Sequence, residues 1–395
     1  MTVSVTAPTS SGRALSAAIL VAAAGMLPVA LTGAMAVQLR ADLGMREASI
    51  GIAVSVFFAA GAATALRAGR FADRYGWRAA VAANGALSLI ALFGAAVLSF
   101  HAVALIVLLA IGGVAMSGSM SAGNLALARE APAARLGLLL SLKQTAVPVA
   151  TLLAGLAVPV VALTIGWRWA FGIAAVVPVA AIAVSRAGAA QARSDAGERR
   201  AAAPTARVAV SRELVVLAIA CGFASVIPGV LSGFVVVSAV EAGVSEATGG
   251  VILMAGSVVG LTVRVVMGWR IDRVTSDGFR EVAVLLMLGA VALGLMATSR
   301  PAFFAVGALA AFGSGWGWPG LFFYGVVRSH MDAPAAATGA VQAGAAVGTA
   351  TGPLLFGLVA GGIGHGTAWA GTAAVAVLAA SLTWSAARRA DGNSA

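Results

Sequence analysis

The chain has 395 residues, of which 61% are apolar and 10% charged, and a formal net charge of +11. A soluble domain carries about a quarter charged residues, so this composition excludes a water-solvated globule and points to a chain solvated mainly by lipid. One cysteine, Cys221, excludes a disulfide framework. The arginines fall in short segments between apolar runs, so the positive charge reads as a topology signal, not a nucleic-acid footprint.

A membrane-spanning helix needs roughly 20 predominantly apolar residues. Twelve such runs follow one another, at 15–37, 48–68, 79–99, 103–128, 137–164, 167–185, 214–239, 248–269, 281–298, 302–327, 336–361 and 367–386. Residues 1–13 lack the small-residue cleavage site of a signal peptide, so the first run is expected to be a retained helix. Every run is predicted to be helical, because an open strand leaves its backbone groups unsatisfied in hydrocarbon. Residues 187–212 are rich in Ala, Ser and Arg, have no apolar period, and read as a linker. The expected organisation is a tail at 1–14, a six-helix bundle at 15–186, the linker at 187–212, a second bundle at 213–387 and a tail at 388–395.

Arginine placement orients the chain. With the N-terminus inside, nineteen arginines fall on the cytoplasmic side, and Arg40, Arg46, Arg168 and Arg300 fall outside. Both termini and the linker are therefore expected in the cytoplasm, with the helices in the cytoplasmic (inner) membrane.

The chain is organised around a charged island between the second and third runs, Gly69-Arg70-Phe71-Ala72-Asp73-Arg74-Tyr75-Gly76-Trp77-Arg78. Its first half returns about half the chain later as Gly268-Trp269-Arg270-Ile271-Asp272-Arg273. So long a period marks a duplicated bundle, since solenoid repeats run to only about 20–50 residues. The form Gly-x-x-x-Asp-Arg-x-Gly-x-Arg, with its shorter echo after the eighth run, resembles the loop signature of the major facilitator superfamily.

That resemblance implies an all-α fold of two pseudo-symmetric six-helix bundles and secondary transport by alternating access. It also implies a gate role for Gly69, Asp73, Arg74, Gly76 and Arg78 and for Gly268, Asp272 and Arg273, whose contacts hold the halves together in the outward-open state. The implied partners are a small-molecule substrate, a proton where transport is coupled, and membrane lipid, with a monomeric chain. No cofactor, metal or nucleic acid is implied. Gly344, Gly348, Gly352, Pro353 and Gly357 make the eleventh run the clearest site of close helix packing. Its Gly-x-x-x-Gly-Pro stretch is similar to the antiporter motif of drug exporters, which belongs on the fifth helix; there this chain reads Thr145-Ala146-Val147-Pro148.

All fourteen acidic residues lie at helix ends or in loops, and His101, His330 and His365 are peripheral. Exporters of cationic drugs usually bring a buried carboxylate to the charge, and none is offered at mid-membrane. Two cations do lie inside apolar runs. Lys143 is the only lysine, on the fifth run, followed by Gln144; Arg264 lies on the eighth. A cation in hydrocarbon costs several kcal/mol unless it meets a cavity or a partner. Helices five and eight are neighbours across the interface of the family fold, so the resemblance implies that Lys143 and Arg264 hold an anion between the halves. Arg264 four residues before Gly268 is also similar to the pattern of monocarboxylate and oxalate-type porters. Asn124 on the fourth run, Trp316, Trp318 and Tyr324 on the tenth, and Gln342 on the eleventh complete the candidate substrate site; the glycines around the two tryptophans mark a thin or broken helix. A small organic anion such as a carboxylate is the expected cargo, with export of a drug or secondary metabolite as the alternative. A membrane enzyme is not expected, because three peripheral histidines and one cysteine supply no nucleophile–base or metal constellation.

Overall fold

A computed structural model describes residues 9–132, 135–187, 211–271, 273, 278–331 and 334–392. All regular structure among them is helical. Eleven helices are long and apolar enough to cross a membrane. The twelfth crossing is the tenth in order, and it escapes a length criterion because it is built in two pieces, Pro301–Ser314 and Pro319–Ser329. Gly315, Gly317 and Pro319 account for the break, since glycine weakens a helix and the proline ring removes a backbone donor. The expected twelve-span architecture is present.

The spans are numbered here in chain order. Span 1 is Thr9–Ala34, continued by Ala36–Leu43; span 2 is Glu47–Tyr75, span 3 Trp77–Leu98 and span 4 Ala102–Glu130. Span 5 is assembled from Leu136–Gln144, Ala146–Ala157, a π-helical turn at Val158–Ala162 and Leu163–Ile165; span 6 comprises Trp167–Ala174 and Val176–Arg186. The second half holds span 7 (Arg212–Glu241), span 8 (Glu246–Ile271), span 9 (Phe279–Ala297), the broken span 10, span 11 (Pro334–Gly362) and span 12 (His365–Gly392). The expected linker lies outside the described residues over 188–210; at its end Ser211 already caps span 7, its hydroxyl accepting from the Leu214 N–H at 3.1 Å. With twelve crossings both described chain ends lie on one face, called the terminal face below.

Lipid tails are as apolar as leucine, so the halves are drawn together by close backbone approach instead of by hydrophobic exclusion. Within the second half, Gly344 and Gly348 of span 11 lie so close to the Ala218 and Gly222 carbonyls of span 7 that neither position has room for a Cβ. The same device joins the two halves. Gly33 of span 1 abuts the Ser232 carbonyl of span 7, and Gly51 of span 2 abuts that of Pro353 on span 11. A Cβ at Gly357 would lie 2.5 Å from the Glu47 carbonyl oxygen, and one at Gly155 of span 5 would lie 2.6 Å from the Met254 nitrogen of span 8. The four contacts that join the halves sit in the half of the membrane remote from the termini. Towards the terminal face the partners separate: span 2 is largely exposed from Ala62 onward, Ala72 excepted, and a Cβ at Gly69 or Gly268 would meet no neighbour. The described residues therefore form a pair of bundles closed at the face opposite the termini and open at the terminal face.

Candidate functional site

The charged island follows from local geometry. Gly76 ends span 2 at φ +84, a conformation a side chain resists, and its N–H donates to the Ala72 carbonyl at 2.8 Å. The turn then launches Trp77 and Arg78 into span 3. Trp77 Nε1 donates to Glu130 at the end of span 4 at 3.2 Å, and Arg78 pairs with the same carboxylate at 3.7 Å while stacking on Trp77. Arg78 thus ties spans 3 and 4 within the first half. Asp73 is exposed and has no hydrogen bond or ion pair with another described residue; Arg74 is exposed against the Tyr75 ring. In the second half, Arg273 stacks 3.5 Å over Trp269. Asp272 lies outside the described residues.

Both cations of the apolar runs are held by neutral oxygens. Lys143 is 2% exposed; its ammonium donates to Asn124 Oδ1 at 2.7 Å and to the Met120 carbonyl at 3.3 Å, both on span 4. Arg264 on span 8 is half-buried and donates through Nε at 3.2 Å and Nη2 at 2.9 Å to the Trp316 carbonyl. The physical reason lies in the break of span 10. Its first piece ends at Ser314 and leaves carbonyls without an intrahelical donor, and a guanidinium supplies one. Neither cation has a carboxylate partner among the described residues. The structure pairs Lys143 with Asn124, both singled out by the sequence, but keeps Lys143 and Arg264 each on its own half with no contact between them.

The other candidates separate by exposure. Asn124, Gln144 and Gln342 are exposed on the terminal-face halves of spans 4, 5 and 11. Trp316 is buried against Phe312 with Arg264 over its ring, and Trp318 is buried against Phe322, its Nε1 without a partner among the described residues. Tyr324 accepts from Arg328 at 2.8 Å. An apolar cavity of about 700 Å³ opens among spans 7, 11 and 12, lined by Phe223, Val226, Leu355 and Phe356 among others. Gly344, Gly348 and Gly352 of span 11 line it, and none of the candidate substrate-site residues does.

One constellation was not foreseen. At the face opposite the termini, Arg40 of span 1 donates to Glu47 of span 2 at 2.8 Å and to Glu241 of span 7 at 3.0 Å, so one guanidinium bridges the halves. Gln38 Nε2 donates to Glu246 of span 8 at 3.0 Å. His365, at the start of span 12, has Nδ1 2.7 Å from the Ser238 hydroxyl and Nε2 3.8 Å from Glu47. Exposed pairs of this kind are worth about 0.2–1 kcal/mol. Glu241→Gln is therefore expected to favour opening of this face by about two- to fivefold, and high salt should mimic it. Accessibility of a reporter cysteine on this face reads the shift; a variant indistinguishable from its parent at low salt would remove the latch.

Comparison with known proteins adds the following. The sequence model described as Major Facilitator Superfamily matches residues 14–296. No curated protein matches the sequence. The fold is similar to that of a D-xylose–proton symporter, at 17% identity over 94% of this chain and 96% of that one, with a TM-score of 0.75. It is similar also to the nucleoside transporter NupG (13%, 95% and 99%, TM-score 0.74). A partially occluded inward-open form of the xylose transporter XylE from E. coli shares it too (16%, 95% and 99%, TM-score 0.76). At these identities the likeness is one of fold.

Proposed function

From the premise that the chain belongs to the major facilitator superfamily, and so moves small solutes by alternating access, we propose that its cargo is a small organic anion such as a carboxylate. One observation supports this reading: Lys143 is buried and Arg264 half-buried inside apolar spans, yet among the described residues they are satisfied only by a side-chain amide and by backbone carbonyls. Carbonyl dipoles solvate a cation without cancelling its charge, and an unpaired charge in a poorly hydrated site is costly unless a counter-ion arrives. A carboxylate entering between the halves supplies that counter-ion. Lys143 and Arg264 provide the field, and Asn124, Gln144 and Gln342 are exposed polar groups on the terminal-face halves of their spans. Trp316, Trp318 and Tyr324 shape the second-half wall.

In this reading the terminal face is cytoplasmic, and the island residues Gly69, Asp73, Arg74, Gly76 and Arg78, with Gly268, Asp272 and Arg273, form its gate. The latch around Arg40 shuts the opposite face. Alternating access then amounts to exchanging one set of cross-half contacts for the other.

Charge-assisted hydrogen bonds are worth about 1.5–3 kcal/mol. Lys143→Ala and Arg264→Ala are each expected to weaken carboxylate binding by about ten- to a hundredfold, with neutral analogues of the same shape competing weakly. Equilibrium affinity in purified, folded protein is the measurement. Unchanged affinity in both variants, or tight binding of a cationic drug by the parent protein, would replace this reading with the exporter.

A further inference from the structure

We infer that Asn124 is the group that touches the transported anion, and that Lys143 is a positioning residue acting through it. The inference rests on the anion reading above and divides the work of that site. Lys143 is 2% exposed and sits among Ala18 of span 1, Gly123 and Asn124 of span 4 and its own helix. Two of its three donors are taken by the Asn124 and Met120 oxygens, and at 2% exposure the ammonium presents no open face to a ligand. Asn124 is exposed on the same span, and its carbonyl oxygen is occupied by the ammonium at 2.7 Å.

An ammonium has three donors and no acceptor, so it accepts only one of the two orientations of the amide. Oδ1 must point inward to Lys143, and the NH₂ group must point away from it. That NH₂ has no hydrogen-bond partner among the described residues, and it lies on the terminal-face half of the protein, where the halves have separated. The result is a neutral donor pair, fixed in direction and polarised by a positive charge behind it. It suits an oxygen acceptor that carries negative charge. A free asparagine would offer its oxygen as readily as its nitrogen and would discriminate poorly. The lysine removes that choice, and its long-range field adds a preference for anions over neutral acceptors.

The arrangement separates cleanly from a lysine that binds the ligand itself. The probes are oxalate, succinate and benzoate at fixed ionic strength, each titrated against purified protein, with the tightest carried into the variants. Asn124→Ala is expected to weaken that probe by about ten- to a hundredfold. Asn124→Asp places a carboxylate against Lys143, cancels the charge and faces the ligand with negative oxygen. It should abolish binding while melting no lower than the parent, because the buried ammonium gains a counter-ion. Lys143→Met should lose both affinity and the preference for carboxylate over the matching neutral amide. A merely structural lysine would lower the melting temperature and leave that preference intact. Unchanged or tighter binding by Asn124→Ala would show that Lys143 reaches the ligand and would overturn this inference alone. Failure of the parent to bind any of the three carboxylates would overturn the anion reading together with it.

Discussion

Gly33→Ala is expected to drive the protein out of the state described here. A Cβ at Gly33 collides with the Ser232 carbonyl oxygen of span 7, which is backbone inside a continuous helix and has no rotamer to escape into. Overpacking a tight contact costs about 1–3 kcal/mol, and here the cost falls only on the form in which spans 1 and 7 touch. The equilibrium should therefore move about five- to a hundredfold or more towards opening of the face remote from the termini. Gly357→Ala, aimed at the Glu47 carbonyl, should act in the same direction. Cys221 is the only cysteine and is buried, so replacing it by alanine gives a clean background. A cysteine at Val54, fully buried beside Gly233, should then react with a water-soluble maleimide much faster in the Gly33→Ala protein than in its parent. Equal labelling rates would mean that this glycine contact does not govern closure.

Asp73→Asn should slow transport by about ten- to a hundredfold while leaving insertion intact. Asp73 lies in the last turn of span 2, at the negative end of the helix dipole, where a carboxylate is disfavoured by a few tenths of a kcal/mol. It is exposed and unpartnered among the described residues, so nothing in the open form compensates it. In the proposed gate, its favourable contacts belong to the form in which the terminal face closes. Neutralising it removes a charge-assisted hydrogen bond of about 1.5–3 kcal/mol from that form alone. A return step that depends on closure slows accordingly. Initial rates in proteoliposomes, normalised to correctly folded protein, test this. Transport at the parental rate would free Asp73 from any gate role.

The twelve spans were legible because each is a long apolar run, and a run of that length crosses a bilayer as a helix, not as an open strand. Even the fracture in span 10 is announced by Gly315-Trp316-Gly317-Trp318-Pro319. The unusual residues were legible for the same reason, since Lys143 and Arg264 stand out against a hydrocarbon background. Their partners were harder to see. Asn124 is an ordinary residue nineteen positions from Lys143, and the acceptor of Arg264 is a carbonyl, which no side-chain pattern marks. The latch was hidden more deeply still. Arg40, Glu47, Glu241 and His365 each look like a polar residue at a helix end, and the bridge from Arg40 to Glu241 closes a separation of 201 residues. Peripheral depth was read correctly for all four. That they converge depends on how two bundles dock, which periodicity along one chain does not encode.

The fracture in span 10 has a consequence for how the chain enters the bilayer. Its pieces of 14 and 11 residues reach about 21 and 17 Å at 1.5 Å per residue, against a hydrocarbon core of about 30 Å. Neither piece crosses alone, and the break between them leaves the Trp316 carbonyl to a donor from another span. That donor, Arg264, precedes Trp316 by 52 residues, so during synthesis it is already resident on span 8 when the tenth segment emerges. An arginine that burdens the insertion of its own helix thereby completes the backbone of a later one, and the two segments are expected to be stable in the bilayer only as a pair.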